Sequence, residues 1–308
     1  MQTEIHTSTE TQSNVWWRLM RPHTLTASFV PVLTGTAIAL FYEDFKPLLF
    51  LAMLVASLLI QAATNMFNEY YDYVRGLDNK ESVGIGGTIV RDGVAPTFVR
   101  NLAFLFYFIS VLIGIYICIS SSWWVAVIGV ISMAIGYLYT AGPYPIAYTP
   151  LGELFSGLFM GPVIIMITYF IQTGSLSWNA FYVSISVGIF IGCINLANNI
   201  RDLDGDKEGG RKTLAILLGR PKAIQFMATL FVIAYAWIIY LVIVNYVSAW
   251  VLLTLISIPK AVLAIKQFKG KTLAFEMMPA MKSTAQLNTM FGILLTLSFI
   301  IAYITPYL

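Results

Sequence analysis

The chain has 308 residues, of which 58% are hydrophobic and 11% are charged, against about 25% charged residues in a soluble domain. This composition excludes an ordinary soluble enzyme and a disordered chain, and a net charge of +3 excludes a nucleic-acid binder. The two cysteines, Cys118 and Cys193, both lie in apolar runs, so a disulfide framework or a zinc site is excluded as well. The length fits one large polytopic membrane domain.

The first 14 residues are polar and rich in Thr, Ser and Gln, which predicts a disordered tail over residues 1–14 and a single transmembrane domain over residues 15–308. A bilayer needs about 20 apolar residues per helix, and nine apolar runs follow the tail. They predict an all-α polytopic membrane protein with nine transmembrane helices around a central cavity. The runs lie at residues 22–42, 47–73, 97–119, 123–140, 152–172, 178–200, 222–243, 247–265 and 284–304.

The basic residues test this number of spans. With a cytosolic N-terminus, 17 of the 18 Lys and Arg residues fall on the cytosolic side, and Lys46 is the exception. The positive-inside rule therefore predicts a cytosolic N-terminus and an outside C-terminus for a multi-pass protein of the plasma membrane. The long connections at 74–96 and 201–221 are rich in Gly, Asp and Arg, which favours a functional site facing the cytosol.

Two acidic clusters lie at the cytosolic ends of the second and sixth predicted spans. Together they hold eight of the 15 Asp and Glu residues. Carboxylates at a membrane edge are costly, so these clusters indicate a functional site, and a solvated charged loop is the alternative. The members are Glu69, Asp72, Asp78 and Glu81 in the first cluster and Asp202, Asp204, Asp206 and Glu208 in the second.

A polar pattern repeats between the two clusters. Three residues spaced i, i+3 and i+7 share one helix face in the second span, and the same spacing recurs 130 residues later in the sixth. Both spans run from the outside to the inside, so the repeat indicates an internal duplication. The matched residues are Asn65, Asn68 and Asp72 in one copy and Asn195, Asn198 and Asp202 in the other.

Facing sets of hard oxygen ligands suit Mg²⁺, which binds one or two carboxylates together with substrate phosphate oxygens. Basic residues are interleaved with the acids, where they could contact a diphosphate or could simply follow the positive-inside rule. The pattern predicts a metal–diphosphate clamp at the membrane surface, with the apolar part of the substrate between the helices. The basic residues are Arg75, Lys80, Arg91, Arg201, Lys207, Arg211 and Lys212.

These motifs resemble those of the UbiA-type intramembrane aromatic prenyltransferases. The first cluster is similar to their Asn-Asp-x-x-Asp-x-x-x-Asp motif, and Asp202 and Asp206 are similar to their Asp-x-x-x-Asp motif. Within that superfamily the chain most resembles the 1,4-dihydroxy-2-naphthoate prenyltransferases of menaquinone biosynthesis, and the similarity covers nearly the whole chain after the tail. The strings that carry it are RPHTLTASFVPVLTGTA (21–37), NEYYDYVRGLD (68–78), GIGGTIVRDG (84–93), YTAGPYPIAYTPLGELF (139–155), NNIRDLDGDKEGGRKTLA (198–215) and MKSTAQLNTMFGILL (281–295).

The chain departs from the superfamily pattern at three places. Glu69 replaces the usual second Asp but keeps a carboxylate, and His23 stands where many relatives have Lys. Asp78 lies six residues after Asp72 instead of four, a spacing that resembles the menaquinone branch and leaves open whether Asp78 is a direct ligand.

The resemblance implies a magnesium-dependent prenyltransferase with two Mg²⁺ ions. It would transfer a polyprenyl group from polyprenyl diphosphate to 1,4-dihydroxy-2-naphthoate, with loss of CO₂ and diphosphate, and form a demethylmenaquinone. The implied catalytic residues are Asn68, Asp72, Asp202 and Asp206, and the implied metal ligands are these four with Asp78.

The resemblance also implies contacts with the aromatic acceptor, whose carboxylate a cationic pair at the start of the first span could orient. For several of these residues a role as an interface anchor is the alternative. The predicted acceptor-binding residues are Arg21, His23, Asn65, Tyr139, Asn195 and Asn198.

Two other functions stay open at this point. A different branch of the superfamily would use 4-hydroxybenzoate, a chlorophyllide or a haem as acceptor. A transporter would place polar groups near the bilayer midplane on interrupted helices, whereas here the acids lie at helix ends on one side. Membrane lipid is an expected partner and nucleic acid is not, while the prenyl chain length and the oligomeric state do not follow from the sequence.

Overall fold

The computed structural model describes residues 15–43, 45–78 and 87–305, and within these ranges the regular structure is entirely helical. The all-α prediction is thereby confirmed. The predicted tail, residues 1–14, lies outside the described residues, as does Lys80.

Nine apolar helices follow one another in the described part of the chain. Seven of them are long and apolar enough to cross a membrane, whereas α1 and α4 are shorter, with 14 and 15 residues. Each of the nine overlaps one apolar run of the sequence, although α9 begins ten residues before its predicted run at 284–304. In chain order they are α1 (Thr26–Ala39), α2 (Pro47–Val74), α3 (Pro96–Ser120), α4 (Trp124–Leu138), α5 (Gly152–Thr173), α6 (Trp178–Arg201), α7 (Arg220–Ile243), α8 (Ala249–Phe268) and α9 (Ala274–Ile304).

Proline marks the start of several helices. Pro47 and Pro96 occupy the first turns of α2 and α3, where the missing N–H is no loss because the first amides of a helix have no partner inside it. Three short helices lie in the connections that follow α2 and α6, namely Thr88–Arg91, Leu203–Glu208 and Leu214–Leu218. These connections carry the two acidic clusters.

Helix α6 is the centre of the bundle. Its Phe190 contacts Phe231 of α7 at 5.7 Å and Phe291 of α9 at 4.4 Å between ring centroids. On its other side α6 crosses α5 at glycines, since a Cβ on Gly161 would lie 2.4 Å from the Cα of Gly188. The small residues bring the two backbones together. This close contact fixes where the end of α6, next to Asp202, lies relative to α5.

Helices α3 and α4 lie at the edge of the bundle and turn apolar side chains outward. Phe108 of α3 is 60% exposed, and Trp124 and Val130 of α4 are 73% and 66% exposed. Apolar surface of this extent is stable in contact with lipid and not with water. The prediction of a multi-pass membrane protein is therefore confirmed.

A cavity of about 440 Å³ lies between α1, α2, α3, α4, α5 and α6. One end is lined by the polar residues that close α2 and α6, including Asp72 and Asp202. The rest is lined by apolar side chains such as Ile60, Ile115 and Phe159. The fold therefore joins the two acidic clusters to one elongated apolar chamber.

Candidate active site

Arg211 links the two acidic clusters across the mouth of the cavity. Its Nη2 lies 2.5 Å from Asp72 Oδ1 at the end of α2, and its Nη1 lies 3.0 Å from Asp206 Oδ1 in the connection after α6. The guanidinium also stacks on the ring of Tyr148 at 4.9 Å. Three parts of the chain that are far apart in sequence thus meet at one cation.

The carboxylates at the mouth are crowded. Burial, and then repulsion from Asp72, raises the pKa of Asp78 to about 6. Burial raises the pKa of Asp206 to about 7. The charge of Arg211 lowers this pKa, and repulsion from Asp202 and Asp72 offsets part of that lowering. Asp206 Oδ2 is buried and has no hydrogen-bond partner among the described residues. Arg211 is therefore shared between Asp72 and Asp206, and one oxygen of Asp206 is left without a partner.

Asn68 and Arg21 extend the site toward α1. Asn68 donates to Asp72 Oδ2 at 3.1 Å and accepts from Arg21 Nη1 at 2.8 Å. Arg21 has φ of +48°, a left-handed conformation that is strained for a residue with a side chain. Arg21 nevertheless lines the cavity, so the strained turn places a half-buried cation at the mouth.

Arg201 orients Asp202 on the opposite wall. It donates from Nε to Asp202 Oδ1 at 2.7 Å and from Nη2 to Oδ2 at 2.5 Å, and both residues line the cavity. Asp204 lies apart from them, because its side chain is 70% exposed and pairs with Arg220 at 2.9 Å.

The predicted acceptor-binding residues all line the cavity. Asn65 donates to the backbone carbonyl of Met20 and to the hydroxyl of Thr24, which ties α2 to the segment before α1. Burial, and then the charge of Arg21, lowers the pKa of His23 to about 4, so the imidazole is neutral and can both donate and accept. On the other wall Asn195 donates to the hydroxyl of Tyr139 at 2.6 Å.

The basic residues predicted to bind diphosphate divide into two groups. Arg201 and Arg211 line the cavity. Arg75 does not, because it donates to the backbone carbonyls of Thr140 and Gly142 and so holds the connection after α4. Three more, Arg91, Lys207 and Lys212, are exposed and lie outside the cavity lining, and Lys80 is outside the described residues.

Three polar residues that belong to no predicted site set lie at the cavity or directly behind it. Glu69 is fully buried and accepts from the hydroxyl of Thr88 and, at 3.0 Å, from the amide of Ile89, so it ties the connection after α2 to the helix. Asn199 lines the cavity and donates to Glu153 at 2.8 Å. Glu153 is the one acidic residue in its apolar run, and an acid within a membrane span is itself a signal of function.

In the described part of the chain, no group of three or more His, Cys, Asp and Glu side chains is close enough to hold a metal ion alone. A cation that takes one or two carboxylates and completes its shell from a substrate does not need such a group. The oxygen donors of Asn68, Asp72, Asp78, Asp202 and Asp206, with the unpartnered oxygen of Asp206, fit a hard divalent cation of that kind.

Fold and site together define a helical integral membrane protein with an acid-lined cavity at one side of the membrane. The chain belongs to the UbiA prenyltransferase family, whose model matches residues 28–275. It is therefore a membrane-embedded prenyltransferase, and the family resemblance carried by the sequence motifs is confirmed.

Relatives of known activity and structure are similar over most of the chain. It is 55% identical to 1,4-dihydroxy-2-naphthoate octaprenyltransferase of Bacillus subtilis, over 96% of this chain and 94% of that protein. It is 30% identical to UbiA prenyltransferase domain-containing protein 1 of Mus musculus, over 92% and 83% of the two chains. Among solved structures, a UbiA homolog from Archaeoglobus fulgidus bound to GPP and Mg²⁺ has a TM-score of 0.65 and 14% identity, over 91% of this chain and 99% of that chain.

Proposed function

We propose that this protein transfers a polyprenyl group from polyprenyl diphosphate to 1,4-dihydroxy-2-naphthoate in menaquinone biosynthesis. The observation that carries the proposal is the single cavity, which has paired acidic clusters at one end and apolar walls along the rest. The naphthoate acceptor is supported by the 55% identity to the Bacillus subtilis enzyme. That identity is high enough to favour the naphthoate over a 4-hydroxybenzoate, chlorophyllide or haem acceptor.

The polar end suits the diphosphate of the donor. Arg201 is buried and Arg211 is 11% exposed, and both line the cavity. A guanidinium is shaped to bind phosphate oxygens in pairs. When the donor binds, Arg211 exchanges a carboxylate oxygen for a phosphate oxygen and stays neutralised. The exposed Lys207, Lys212 and Arg91 attract the anion to the mouth from the cytosol.

The acidic clusters would hold Mg²⁺ together with the diphosphate. Two ions are proposed, one at each cluster. Bound there, Mg²⁺ supplies neutralisation of the charge that builds on the leaving diphosphate. The proposed ligands are Asn68, Asp72 and Asp78 on one side and Asp202 and Asp206 on the other.

The apolar chamber would hold the prenyl chain and protect the reaction from water. Val130 and Trp123 line the chamber and are also 66% and 63% exposed at the side of the bundle, so the chamber reaches the surface that faces lipid. A chain longer than the chamber can therefore extend into the bilayer. Apolar walls also exclude the water that would capture an allylic cation.

The acceptor would lie between the diphosphate and the polar walls. Arg21 is suited to bind its carboxylate, with neutral His23 and Asn65 beside it. Tyr139, Asn195 and Asn198 approach from α4 and α6. The C–O bond of the donor breaks with its electron pair on the diphosphate, the ring supplies the pair for the new C–C bond, and the acceptor loses its carboxylate as CO₂. Because no oxidant takes part, demethylmenaquinone leaves in its reduced, quinol form.

The proposed topology has nine spans in the plasma membrane, with α1 and α4 crossing the bilayer despite their length. A single domain over residues 15–308 follows the polar tail, the N-terminus is cytosolic and the C-terminus is outside. The acidic clusters then face the cytosol, where the naphthoate acceptor is available. Support comes from the basic residues, 17 of 18 of which fall on one side of this arrangement.

Mass spectrometry of the lipid product tests the proposal. Purified protein, Mg²⁺, a prenyl diphosphate and 1,4-dihydroxy-2-naphthoate should give prenylated naphthalenediol, with CO₂ and diphosphate in equal amounts. Excess EDTA should abolish turnover and added Mg²⁺ should restore it. The proposed acceptor would be wrong if the protein formed product from 4-hydroxybenzoate, a chlorophyllide or a haem and none from the naphthoate. Full turnover in EDTA would contradict the metal clamp.

A further inference from the structure

A small polar network forms the cavity wall opposite the Asn65 side. Tyr139 follows α4, Glu153 lies in the first turn of α5, and Asn195 and Asn199 are one turn apart on α6. Asn195 donates to the Tyr139 hydroxyl at 2.6 Å, and Asn199 donates to Glu153 Oε1 at 2.8 Å. We name these four residues the wall network.

The wall network has a fixed hydrogen-bond polarity. Glu153 Oε1 accepts, so the Asn199 amide must point its NH₂ group toward Glu153 and away from the cavity. Asn199 lines the cavity whereas Glu153 lies behind it, and Asn199 Oδ1 takes no hydrogen bond from the described residues. The carbonyl oxygen of Asn199 is therefore left to accept from a ligand.

The neighbouring pair has the opposite polarity. Tyr139 accepts from Asn195, so its own O–H is left to donate. A Cβ on Gly152 would lie 3.0 Å from the Tyr139 oxygen and 3.4 Å from Asn195 Nδ2, so a glycine keeps room for this pair. The wall thus offers an acceptor on Asn199 and a donor on Tyr139, which is bonded to Asn195 one turn before Asn199 on α6.

We infer that Glu153 is a positioning residue that turns the Asn199 carbonyl toward a ring hydroxyl of the aromatic acceptor. The inference rests on the proposed function. A phenolic O–H becomes more acidic as the ring gives electrons to the prenyl carbon, so its hydrogen bond to Asn199 strengthens in the transition state. The network therefore selects acceptors with a free hydroxyl at that ring position.

The cost of Glu153 supports a positioning role over simple packing. Its side chain is 8% exposed, and Oε2 has no hydrogen-bond partner among the described residues. A carboxylate buried in a membrane span in this way is expensive, and an apolar residue of similar size would fill the space at lower cost. An apolar residue, however, could not accept the hydrogen bond that fixes the orientation of the Asn199 amide.

Steady-state kinetics of Glu153→Gln in the full chain test the inference. A glutamine keeps the shape but can donate as well as accept, so the Asn199 amide is free to turn over. The kcat/KM for the naphthoate should fall about 10-fold, the effect of one neutral hydrogen bond, while KM for the prenyl diphosphate stays within about 2-fold. Gln172→Leu is the matched control, since Gln172 is buried at the far end of α5 and bonds the backbone of Lys46. It should leave both constants unchanged.

Acceptor analogues give a second readout. The wild type should use one of the two monomethyl ethers of the naphthoate about 10-fold less well than the other, because that ether cannot donate to Asn199. Glu153→Gln and Asn199→Ala should each remove this preference, and the double variant should resemble either single one. Should Glu153→Gln not fold, an ether preference that survives in Asn199→Ala still overturns the inference.

Equal losses for donor and acceptor, or an ether preference that survives in both variants, would overturn the inference while wild-type prenylation of the naphthoate continued. If the wild-type protein formed no prenylated naphthoate, the proposed function itself would be contradicted.

Discussion

Arg211 bridges two carboxylates that would otherwise face each other at the cavity mouth. It contacts Asp72 and Asp206, and its side chain is 11% exposed, so water screens these pairs weakly. Removing one partner of a buried ion pair is far more costly than removing the pair, because a buried charge is left alone. Stability without metal should therefore depend on this residue.

We predict that Arg211→Gln lowers Tm in EDTA by about 2–3 °C, the shift expected for about 1–2 kcal/mol in a chain of this size. With Mg²⁺ added and no diphosphate the difference should shrink, because a divalent cation then neutralises the same oxygens. Thermal unfolding of detergent-purified protein in the two buffers measures this. Lys207→Gln, an exposed neighbour, is the control. An equal Tm loss in both buffers would contradict the shared site.

Asp72 and Asp202 occupy matched positions in the repeated pattern, and both line the cavity. We predict that Asp72→Asn and Asp202→Asn each lower kcat by at least about 10²-fold, as for loss of one strong electrostatic contact in the transition state. The double variant should lose far less than the product of the two, since both act on one diphosphate.

Asp204→Asn provides the matched control, because Asp204 belongs to the same motif but is 70% exposed and pairs with Arg220. It should retain near-wild-type prenyl transfer. Monodispersity in detergent confirms folding for each variant. If a folded Asp72→Asn or Asp202→Asn protein kept full activity, the metal–diphosphate site would be contradicted and the alternative of solvated charged loops would be favoured.

At the scale of the helices, the crossing of α5 and α6 sets the position of Asp202 and the wall network. The crossing contains Gly157, Gly161 and Gly188, and in α5 the segment Phe159–Val163 widens into a π-helix around Pro162. Proline lacks the N–H of a regular turn, which accounts for a local widening there. The first turn of α5, with Glu153, is thereby placed against α6.

We predict that Gly161→Ala destabilises the protein, because its Cβ would lie 2.4 Å from the Cα of Gly188 and the helices would have to separate. Overpacking of this kind costs about 1–3 kcal/mol. Gly129→Ala is the control, since no atom lies within 4 Å of its Cβ position and alanine favours a helix. The measurement is Tm in detergent, and a Gly161→Ala Tm at or above that of Gly129→Ala would contradict the close crossing.

Hydrophobic runs predicted most of the helices closely. The predicted run 97–119 corresponds to Pro96–Ser120, and 178–200 corresponds to Trp178–Arg201. The first run, 22–42, contains a shorter helix, Thr26–Ala39, which begins after a left-handed residue at Arg21 and a turn that apolar character does not reveal. The π-helical segment in α5 was not predicted either, although Pro162 marks its position.

Prediction of the site was less complete. The acids and amides of the two motifs were found because costly side chains repeat at one helical spacing. Side-chain partners were not, since they depend on the tertiary approach of distant segments. Arg75, for example, bonds the carbonyls of Thr140 and Gly142, and Glu69 bonds Thr88 and Ile89. Which basic residues face the cavity follows from packing and not from composition.

For the whole molecule, charge is distributed unevenly between the two ends of the bundle. The ends of α2 and α6, with the connections that follow them, carry the acidic clusters and seven of the 18 basic residues, whereas the opposite connections are short and carry little charge. A diphosphate donor and an anionic acceptor both reach the cavity from that charged end. The direction of this end relative to the membrane therefore decides which compartment supplies the substrates.

We predict that Glu208→Cys reacts with membrane-impermeant thiol reagents only when the cytosolic face is accessible, and that Ser175→Cys reacts from outside intact cells. Both positions are exposed, and they lie in the connections after α6 and after α5, at opposite ends of the bundle. The two native cysteines, Cys118 and Cys193, are buried and give a low background. Because one span, α6, lies between the two test positions, they must be on opposite sides of the membrane. The distribution of 17 of the 18 basic residues assigns the Glu208 side to the cytosol. Labelling of Glu208→Cys in intact cells would invert the proposed topology and place the substrate entrance outside.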